Sequence, residues 1–247
     1  MSDHVKDFVQ LIDEASSIAV LTGAGISTSA GIPDFRGPNG LYVSKKYDAD
    51  KIFDSSYFYS DPQPFYEFAH DFLRLEEKIA PTKAHRFLSR LEEIGKLKGV
   101  VTQNIDALHY KAGSKTVYEM HGSFWNSYCI ECGAPYKFAD LKARMAAAFI
   151  PQCICGGVIK PDIVFFGENV KCYEEAARLA QESDLFLVIG SSCVVFPAAI
   201  IPTLASRKIV IINQGKVHLN AYNIVLDVQQ DADRFLTEAG QLLNLGV

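Results

Sequence analysis

The chain has 247 residues, of which 49% are hydrophobic and 21% are charged, a balance typical of folded proteins and not of disordered ones. Its 24 lysines and arginines against 29 aspartates and glutamates give a net charge of −5 without any run of basic residues, so we expect no nucleic-acid partner. At roughly 150 residues per domain, this length corresponds to one or two domains.

Short apolar strands alternate with helical patterns along most of the chain. Apolar residues spaced three and four apart predict helices, and short apolar runs bounded by turn residues predict strands. In chain order we expect a helix over 3–15, a strand over 18–21, an irregular stretch over 33–61, helices over 64–79 and 83–94, strands over 99–102 and 184–189, a helix over 197–205, a strand over 208–212 and a helix over 232–245. This alternation predicts an α/β fold, with a parallel sheet covered by helices on both faces.

Neither a secretion signal nor a membrane span is expected. Charged residues at positions 3, 6, 7, 13 and 14 interrupt any apolar signal-peptide core. The uncharged stretch 185–206 is long enough to cross a bilayer, which takes about 20 residues, but two prolines and the run Gly190-Ser191-Ser192 divide it. We therefore expect a soluble, cytoplasmic protein with no membrane partner.

Four of the six cysteines are clustered with the spacing C-x2-C-x20-C-x-C: Cys129, Cys132, Cys153 and Cys155. Two close thiolate pairs on separate turns suit a tetrahedral zinc ion, and a chain without a secretion signal has little use for disulfides. The second pair has the spacing C-x-C, which is tighter than the usual C-x-x-C of zinc sites, so buried or free thiols are the alternative. Because four cysteines leave no open coordination position, we expect one structural zinc per chain and no catalytic metal.

A glycine-rich loop, Gly23-Ala24-Gly25, follows the first predicted strand. Its backbone N–H groups, with a helix N-terminus behind them, would suit a pyrophosphate. Thr28 stands where the dinucleotide fingerprint has its third glycine, and the stretch 33–38 breaks the helix that should follow. A dinucleotide bound here is therefore not predicted to serve hydride transfer.

Two further polar features follow predicted strands. The run Thr102-Gln103-Asn104-Ile105-Asp106 comes directly after a strand, where open α/β sheets place their ligand crevice, although a surface turn is the alternative. His121 precedes Gly122, and a histidine with a pKa of about 6.5 suits a general base, although a structural role is the commoner reason for a single histidine. The apolar run 161–168 by itself predicts only a core strand.

Taken together, these segments resemble the sirtuin family of NAD-dependent protein deacylases, in its bacterial or archaeal type. The matching stretches occur in the family's order over nearly the whole chain: 23–27, 31–37, 102–106, His121-Gly122, the four cysteines, 160–168, 190–192 and Ile212-Asn213. The resemblance implies a Rossmann-like NAD-binding domain from residues 1–33, 81–122 and 159–247. It also implies a small domain from 34–80 and 123–158, made of a helical module and a zinc ribbon, with NAD and substrate in the cleft between the two.

The resemblance also implies roles for individual residues. His121 would be the catalytic base, and Asn104 is counted with it. The residues expected to contact NAD are Gly23, Ala24, Gly25 and Thr28 at the pyrophosphate, Asp34, Phe35 and Arg36 in a mobile cofactor loop, Gln103 and Asn104 at the ribose, Ile105 and Asp106 at the carboxamide, and Gly190, Ser191, Ser192, Asn213, Gln214, Asp227 and Val228 at the adenosine half. The residues expected to pair with a substrate peptide as an added strand are Val164, Phe165, Phe166 and Gly167.

The implied reaction removes acetyl groups from the lysines of proteins or peptides, yielding nicotinamide, O-acetyl-ADP-ribose and free lysine. A mono-ADP-ribosyltransferase that uses the same pocket is one alternative, and a non-catalytic module that binds partners through its zinc ribbon is another. The presence of His121 favours deacylation, because only that reaction delivers the ribose 2′-hydroxyl to an amidate. Nothing in the sequence demands assembly, so we expect a monomer.

The sequence also indicates which acyl groups are removed. Sirtuins that remove succinyl or malonyl groups carry a tyrosine and, three residues later, an arginine in the helical module. Ala69 and Phe72 occupy those positions here. Without a cation to pair with the acyl carboxylate, its desolvation would be uncompensated, so we expect a preference for acetyl or other neutral acyl groups.

Overall fold

A computed structural model describes residues 3–34, 47–76 and 78–246 of the chain. The helices are α1 (Asp3–Glu14), α2 (Ala49–Ile52), α3 (Ser55–Ser60), α4 (Gln63–Glu76), α5 (Lys83–Glu93), α6 (Leu108–Ala112), α7 (Phe138–Ala147), α8 (Tyr173–Glu182) and α9 (Ala232–Leu242). The strands are β1 (Ile18–Thr22), β2 (Leu97–Thr102), β3 (Val117–Glu119), β4 (Gly122–Cys129), β5 (Pro135–Lys137), β6 (Ile159–Ile163), β7 (Leu185–Ile189), β8 (Lys208–Ile212) and β9 (Ile224–Val228). No helix within the described ranges is both long and apolar enough to cross a membrane.

Six strands form one parallel sheet in the order β3-β2-β1-β7-β8-β9. Alternate residues of β1 serve opposite faces: Ile18 and Val20 join a core with α1, α5 and α9, whereas Ala19 and Leu21 join a core with α8. Since both faces are covered, the central strands are continuous apolar runs. The predicted α/β class with helices on both faces is confirmed.

The order of the strands determines where a ligand crevice can form. From β1 the chain proceeds to β2 and β3 on one side, and it later returns to β7 on the other side of β1. The connections therefore diverge between the carboxyl ends of β1 and β7, which is the position where open α/β sheets bind ligands. Gly23 follows β1 and Gly190 follows β7, so both predicted glycine loops lie at this point.

A second, antiparallel sheet has the order β5-β4-β6. It packs on a third core that is rich in aromatic side chains from α3 and α4, among them Phe58, Phe65 and Tyr66. Phe165 lies in the middle of this core, with its ring centroid 5.0 Å from that of Phe65. Strand β6 pairs with β4 and not with the large sheet, whereas the expected boundary at residue 159 assigned it to the larger domain.

Most predicted elements are present, with differences of one to three residues at their ends. The expected helix over 197–205 is a 3-10 helix, Ala198–Leu204, with Pro202 inside it. The α-helix expected behind the glycine loop is instead two 3-10 turns, Ala24–Ile26 and Thr28–Ala30, because Gly31 adopts a positive φ of 91° and ends the second turn. The expected strand over 161–168 ends at Ile163.

Two histidines are buried side by side beneath the carboxyl end of β1. The ring centroids of His85 and His109 lie 4.6 Å apart, and both side chains are almost completely buried. Thr82 Oγ1 lies 2.8 Å from His85 Nδ1, and Thr22 Oγ1 lies 2.9 Å from His109 Nε2. The other ring nitrogen of each histidine has no partner among the described residues. Burial lowers the pKa of His109 to about 3, and burial together with His109 holds the pKa of His85 well below its usual value.

This pair predicts that acid destabilises the protein below the pKa of a histidine in an unfolded chain, about 6.5. Below pH 6.5 this histidine binds a proton in the unfolded chain, whereas folded His109 stays neutral down to about pH 3. The free energy of unfolding therefore decreases as the pH decreases below 6.5, and above 6.5 it does not depend on this group. Each such group contributes a slope of about 1.4 kcal/mol per pH unit.

The measurement is urea unfolding between pH 4.5 and 8 for the wild type and for His109→Gln, which keeps a polar atom near Nε2. We expect the variant to show a shallower fall in stability on the acid side. Identical pH profiles for the two proteins would contradict the assignment.

Candidate active site

A cleft of about 750 Å³ lies at the carboxyl ends of β1, β2, β7 and β8 and extends to the antiparallel sheet. The predicted residues that line it are Gly23, Ala24, Gly25, Thr28, Asp34, Gln103, Asn104, Ile105, Asp106, His121, Val164, Phe165, Phe166, Gly167, Gly190, Ser191, Ser192, Asn213 and Gln214. Phe35 and Arg36 lie outside the described residues. Asp227 is exposed and Val228 is buried in β9, and neither lines the cleft, whereas Gln230 and Ala232 do.

The two glycine loops are in direct backbone contact. Gly25 N–H donates to Gly190 O at 2.9 Å, and Gly23 N–H donates to Ile189 O at 3.1 Å. A Cβ on Gly25 would lie 2.7 Å from Gly190 Cα, and Gly190 itself has a φ of 65°. Only glycine permits this approach, and it leaves bare backbone facing the cleft, where a phosphate can come close.

The polar run after β2 is tied to both loops. Gln103 Nε2 donates to Ser191 Oγ at 2.9 Å, and Asn104 Nδ2 donates to Gly23 O at 3.2 Å. Asp106 is buried, accepts from Ser27 Oγ at 2.7 Å and also caps α6. The alternative of a surface turn explains the hydrogen bond that Asp106 accepts from Leu108 N–H, but it does not explain why Asp106 is buried. Ser27 was not predicted as a site residue, although it stands inside the matching stretch 23–27.

His121 lies at the junction of the two sheets, between β3 and β4. Its Nδ1 is 2.8 Å from Gln103 O. A carbonyl oxygen can only accept, so Nδ1 carries the hydrogen and Nε2 keeps its lone pair on the neutral ring. Burial lowers the pKa of His121, and the hydrogen bond to Gln103 opposes this only in part. At neutral pH the ring is therefore uncharged and suited to accept a proton.

The segment after β6 lies beside this histidine. Val164 N–H donates to His121 O at 2.9 Å, and Phe166 N–H donates to Phe53 O at 2.7 Å. Phe165 is buried in the aromatic core, whereas Phe166 is half exposed. The segment thus joins the histidine to the helical module, and the positive φ of Gly167, 95°, ends any further extended pairing.

Apolar side chains line the end of the cleft next to α4. Phe53, Phe68 and Phe72 lie there, and Ala69 is completely buried. Of the described residues that line the cleft, Lys216 is the one lysine or arginine, and it follows Asn213 and Gln214 beyond β8. Of the two acyl positions predicted from the sequence, Phe72 therefore lines an end of the cleft where the described residues are aromatic and carry no positive charge, whereas Ala69 lies in the core and does not line the cleft.

The four clustered cysteines lie apart from the cleft. Their sulfurs are all within 4.8 Å of one another, with Cys129 Sγ 3.5 Å from Cys155 Sγ and Cys132 Sγ 3.6 Å from Cys153 Sγ. Zinc–sulfur bonds of about 2.3 Å in a tetrahedron place the sulfurs about 3.8 Å apart, so the arrangement fits zinc, and it is too wide for a disulfide. None of the four lines the cleft, so the predicted zinc is structural.

Comparison with known proteins identifies the family. The Sir2 family model matches residues 23–197, which is more than half of the chain. This chain belongs to the Sir2 family. An NAD-dependent protein deacetylase of Thermotoga maritima is 42% identical over 96% of this chain and 98% of its own length. Another from Saccharolobus solfataricus is 45% identical over 86% of each chain.

Solved Sir2 structures have the same fold. A structure described as Sir2 with a p53 peptide and NAD+ has a TM-score of 0.89 at 38% identity, covering 99% of this chain and 100% of the other. A Sir2 variant with a deacetylated p53 peptide and 3′-O-acetyl-ADP-ribose has a TM-score of 0.87 at 40% identity, covering 96% and 98%.

Some cleft residues of this Sir2 protein gave no signal in the sequence. Val194, Val195 and Phe196 line the cleft, and Phe196 is 71% exposed. They belong to the uncharged stretch 185–206, whose pattern predicts a strand, a loop and a helix. Nothing in that pattern indicates that these three residues face a ligand. An exposed phenylalanine at the mouth of a cleft is visible only in three dimensions.

The cysteine geometry predicts that Cys129→Ser lowers the zinc content from one ion per chain to a small fraction and destabilises the antiparallel sheet, because metal binding and local folding are coupled. Elemental analysis and thermal unfolding are the measurements. Cys172→Ser is the matched control, since Cys172 lies outside the cluster, and it should keep both zinc and stability. A zinc-free Cys129→Ser protein as stable as the wild type would contradict the structural role.

Proposed function

We propose that this chain removes acetyl or other neutral acyl groups from lysine side chains of proteins, with NAD as co-substrate, and releases nicotinamide, O-acetyl-ADP-ribose and free lysine. The observation that carries the proposal is the position of His121. Its ring donates to Gln103, next to the glycine loops, and its backbone accepts from Val164, in the predicted peptide segment. His121, the two glycine loops and residues 164–167 thus line one cleft, and the relatives from Thermotoga maritima and Saccharolobus solfataricus are named NAD-dependent protein deacetylases.

The proposed NAD site follows the two glycine loops. The missing side chains of Gly23, Gly25 and Gly190 let a pyrophosphate approach the backbone closely, while the N–H groups of these three glycines donate to carbonyl oxygens of the protein. Ser27 and Asp106, hydrogen-bonded to each other beside Ile105, suit the carboxamide end. Asn213 and Gln214 follow β8 at the adenosine end. Phe35, Arg36, Asp227 and Val228 keep their proposed cofactor roles from the family resemblance alone.

The side chains that line the cleft have different proposed roles in the reaction. Bound NAD supplies an electrophilic ribose carbon, which the acyl oxygen attacks as nicotinamide leaves. His121 Nε2 is proposed to accept the proton of a ribose hydroxyl, so that this oxygen can attack the acyl carbon. The acyl C–N bond then breaks with the addition of one water molecule, which releases the lysine amine and leaves the acyl group on the ribose. Asn104, held by Gly23 O and Ser27 Oγ, is proposed to orient the ribose. The phenylalanines at positions 53, 68, 72 and 165 exclude water from the weakly nucleophilic amide oxygen.

The same proposal includes the organisation of the chain. The division into 1–33, 81–122 and 159–247 against 34–80 and 123–158 is supported by separate cores, two on the large sheet and one on the small sheet. Strand β6 is the exception, because it pairs with β4 of the small sheet although the boundary at 159 assigns it to the larger domain. We propose a monomer, because nothing in the sequence demands assembly. We propose the cytoplasm as its location, because a zinc site of four thiolates is best kept in a reducing compartment.

The base assignment predicts that His121→Ala lowers kcat/KM for deacetylation by at least about 100-fold, the usual contribution of a general base, and leaves NAD binding and folding almost unchanged. The measurement follows the masses of an acetyl-lysine peptide and nicotinamide together, with and without NAD, supported by calorimetric titration of NAD. Activity within a few-fold of the wild type would contradict the role of His121. Stable addition of ADP-ribose to protein would favour the transferase alternative.

The aromatic acyl pocket predicts a preference for neutral acyl groups. Acetyl- and butyryl-lysine peptides should be deacylated with higher kcat/KM than a succinyl-lysine peptide of the same sequence, because no cation at Ala69 or Phe72 compensates for desolvation of the carboxylate. Butyryl has the same number of carbons as succinyl without the charge, so it separates size from charge. A higher kcat/KM for succinyl-lysine would overturn the prediction.

A further inference from the structure

Lys160 is a buried cation outside the residues proposed for catalysis. It lies on β6, opposite Tyr128 of β4, and its side chain is only 1% exposed. No other described lysine is buried. Lysine ammonium groups normally remain in water, so this one is unusual. A buried ammonium is tolerated only when it is paired and hydrogen-bonded. The groups that pair with the Lys160 ammonium therefore indicate which part of the structure it stabilises.

Both hydrogen-bond acceptors of its ammonium group belong to the segment that follows, and the ring of Tyr128 on β4 lies 5.8 Å away. Lys160 Nζ donates to Ile163 O at 2.8 Å and to Glu168 Oε2 at 3.1 Å. The ammonium also lies 4.1 Å from the ring centroid of Phe165, a cation–π distance. Burial lowers the pKa of Lys160, and the nearby Glu168 carboxylate opposes that shift.

Glu168 closes the segment from its other end. The same Oε2 atom accepts from Phe165 N–H at 2.9 Å, and Glu168 N–H donates to Phe165 O at 3.0 Å. One carboxylate oxygen thus holds the backbone of Phe165 and the ammonium of Lys160 together. Residues 163–168 are folded around this ion pair.

The outer side of the same segment faces the reaction. Val164 donates to His121 O and Phe166 donates to Phe53 O, so its position relative to the base depends on its own conformation. Residues 163–168 all line the cleft. A change in the ion pair would therefore shift the peptide segment while leaving the glycine loops, on the far side of His121, in place.

We infer that Lys160 and Glu168 are positioning residues for the acylated peptide: their ion pair fixes the conformation of the cleft-lining segment Val164–Gly167, against which the peptide is proposed to bind. The inference rests on the proposed function, since it assumes a peptide substrate at this segment. It assigns the pair to peptide recognition and not to NAD binding. The two substrates of the reaction therefore provide separate readouts.

The test is Lys160→Met, which keeps the length and apolar stem of the side chain but removes the charge. We expect the KM for an acetyl-lysine peptide to rise by about fivefold or more, with the KM for NAD and the kcat changed by no more than about twofold. Glu168→Gln keeps an oxygen for Phe165 N–H and should raise the peptide KM by a smaller factor. It also provides the test if Lys160→Met does not fold.

Lys171→Met is the matched control. Lys171 pairs with Asp162 of the same strand, but this pair is partly exposed and does not hold the peptide segment. Its peptide KM should remain that of the wild type. An unchanged peptide KM in both Lys160→Met and Glu168→Gln would overturn the inference, and so would equal rises in the KM values for peptide and NAD.

The same experiment separates this inference from the proposed function. If the wild type does not deacetylate the peptide, the proposed function fails. Fluorescence anisotropy with a labelled acetyl-lysine peptide then tests the pair directly, since weaker binding by Lys160→Met supports it and equal binding refutes it.

Discussion

The contact between two backbones at the carboxyl ends of β1 and β7 limits where every other part of the cleft can lie. Gly25 N–H donates to Gly190 O, and there is no room for a Cβ on either residue. The loops stay this close because their strands are hydrogen-bonded neighbours in the sheet. Gln103 and Asn104 then reach from the adjacent strand β2 to one loop each. A single close packing of glycines thus sets the positions of three ligand-facing loops.

The position of His121 in the cleft depends on a different junction, the connection from β3 in the large sheet to β4 in the small one. His121 occupies this connection, and Gly122 follows with a φ of 67° and no space for a side chain against Asp162 O. The histidine is therefore held by backbone geometry on both sides and by Gln103 O through its ring. A lone histidine next to a glycine is common in proteins, and here the glycine is what allows two sheets to meet at the histidine.

The sequence was most informative where burial was uniform and least informative where structure depends on contacts across the chain. Strands β7 and β8 were predicted almost to the residue, because strands covered on both faces must be continuously apolar. Strand β9 was missed because it lies at the sheet edge and alternates exposed and half-buried residues before Val228. Helix α8 was missed because its buried face consists of alanines, Ala176, Ala177 and Ala180, which give a weak apolar signal.

The site shows the same division. Motif residues could be predicted because glycines, the Gln103-Asn104 pair and the cysteines are chemically distinctive. The helix expected after Gly25 was wrong, since Gly31 stops the chain after two short 3-10 turns. The pairing of Lys160 with Glu168 could not be predicted, because an eight-residue separation across a bend has no periodic pattern. Val194–Phe196 were missed for the same reason, since only the fold shows that they face the cleft.

The zinc site influences the cleft through the two strands, β4 and β6, that its cysteines connect. Strand β4 runs from Gly122, beside His121, to Cys129, and β6 runs from near Cys155 to Ile163, beside the peptide segment. The two strands pair along this length, with Gly122 opposite Ile163 and Cys129 opposite Ile159. The cysteines therefore fix one end of a ribbon whose other end carries His121 and leads into residues 164–167. A zinc ion that touches no reactant still influences the reaction, because it limits how far these two strands can move relative to each other.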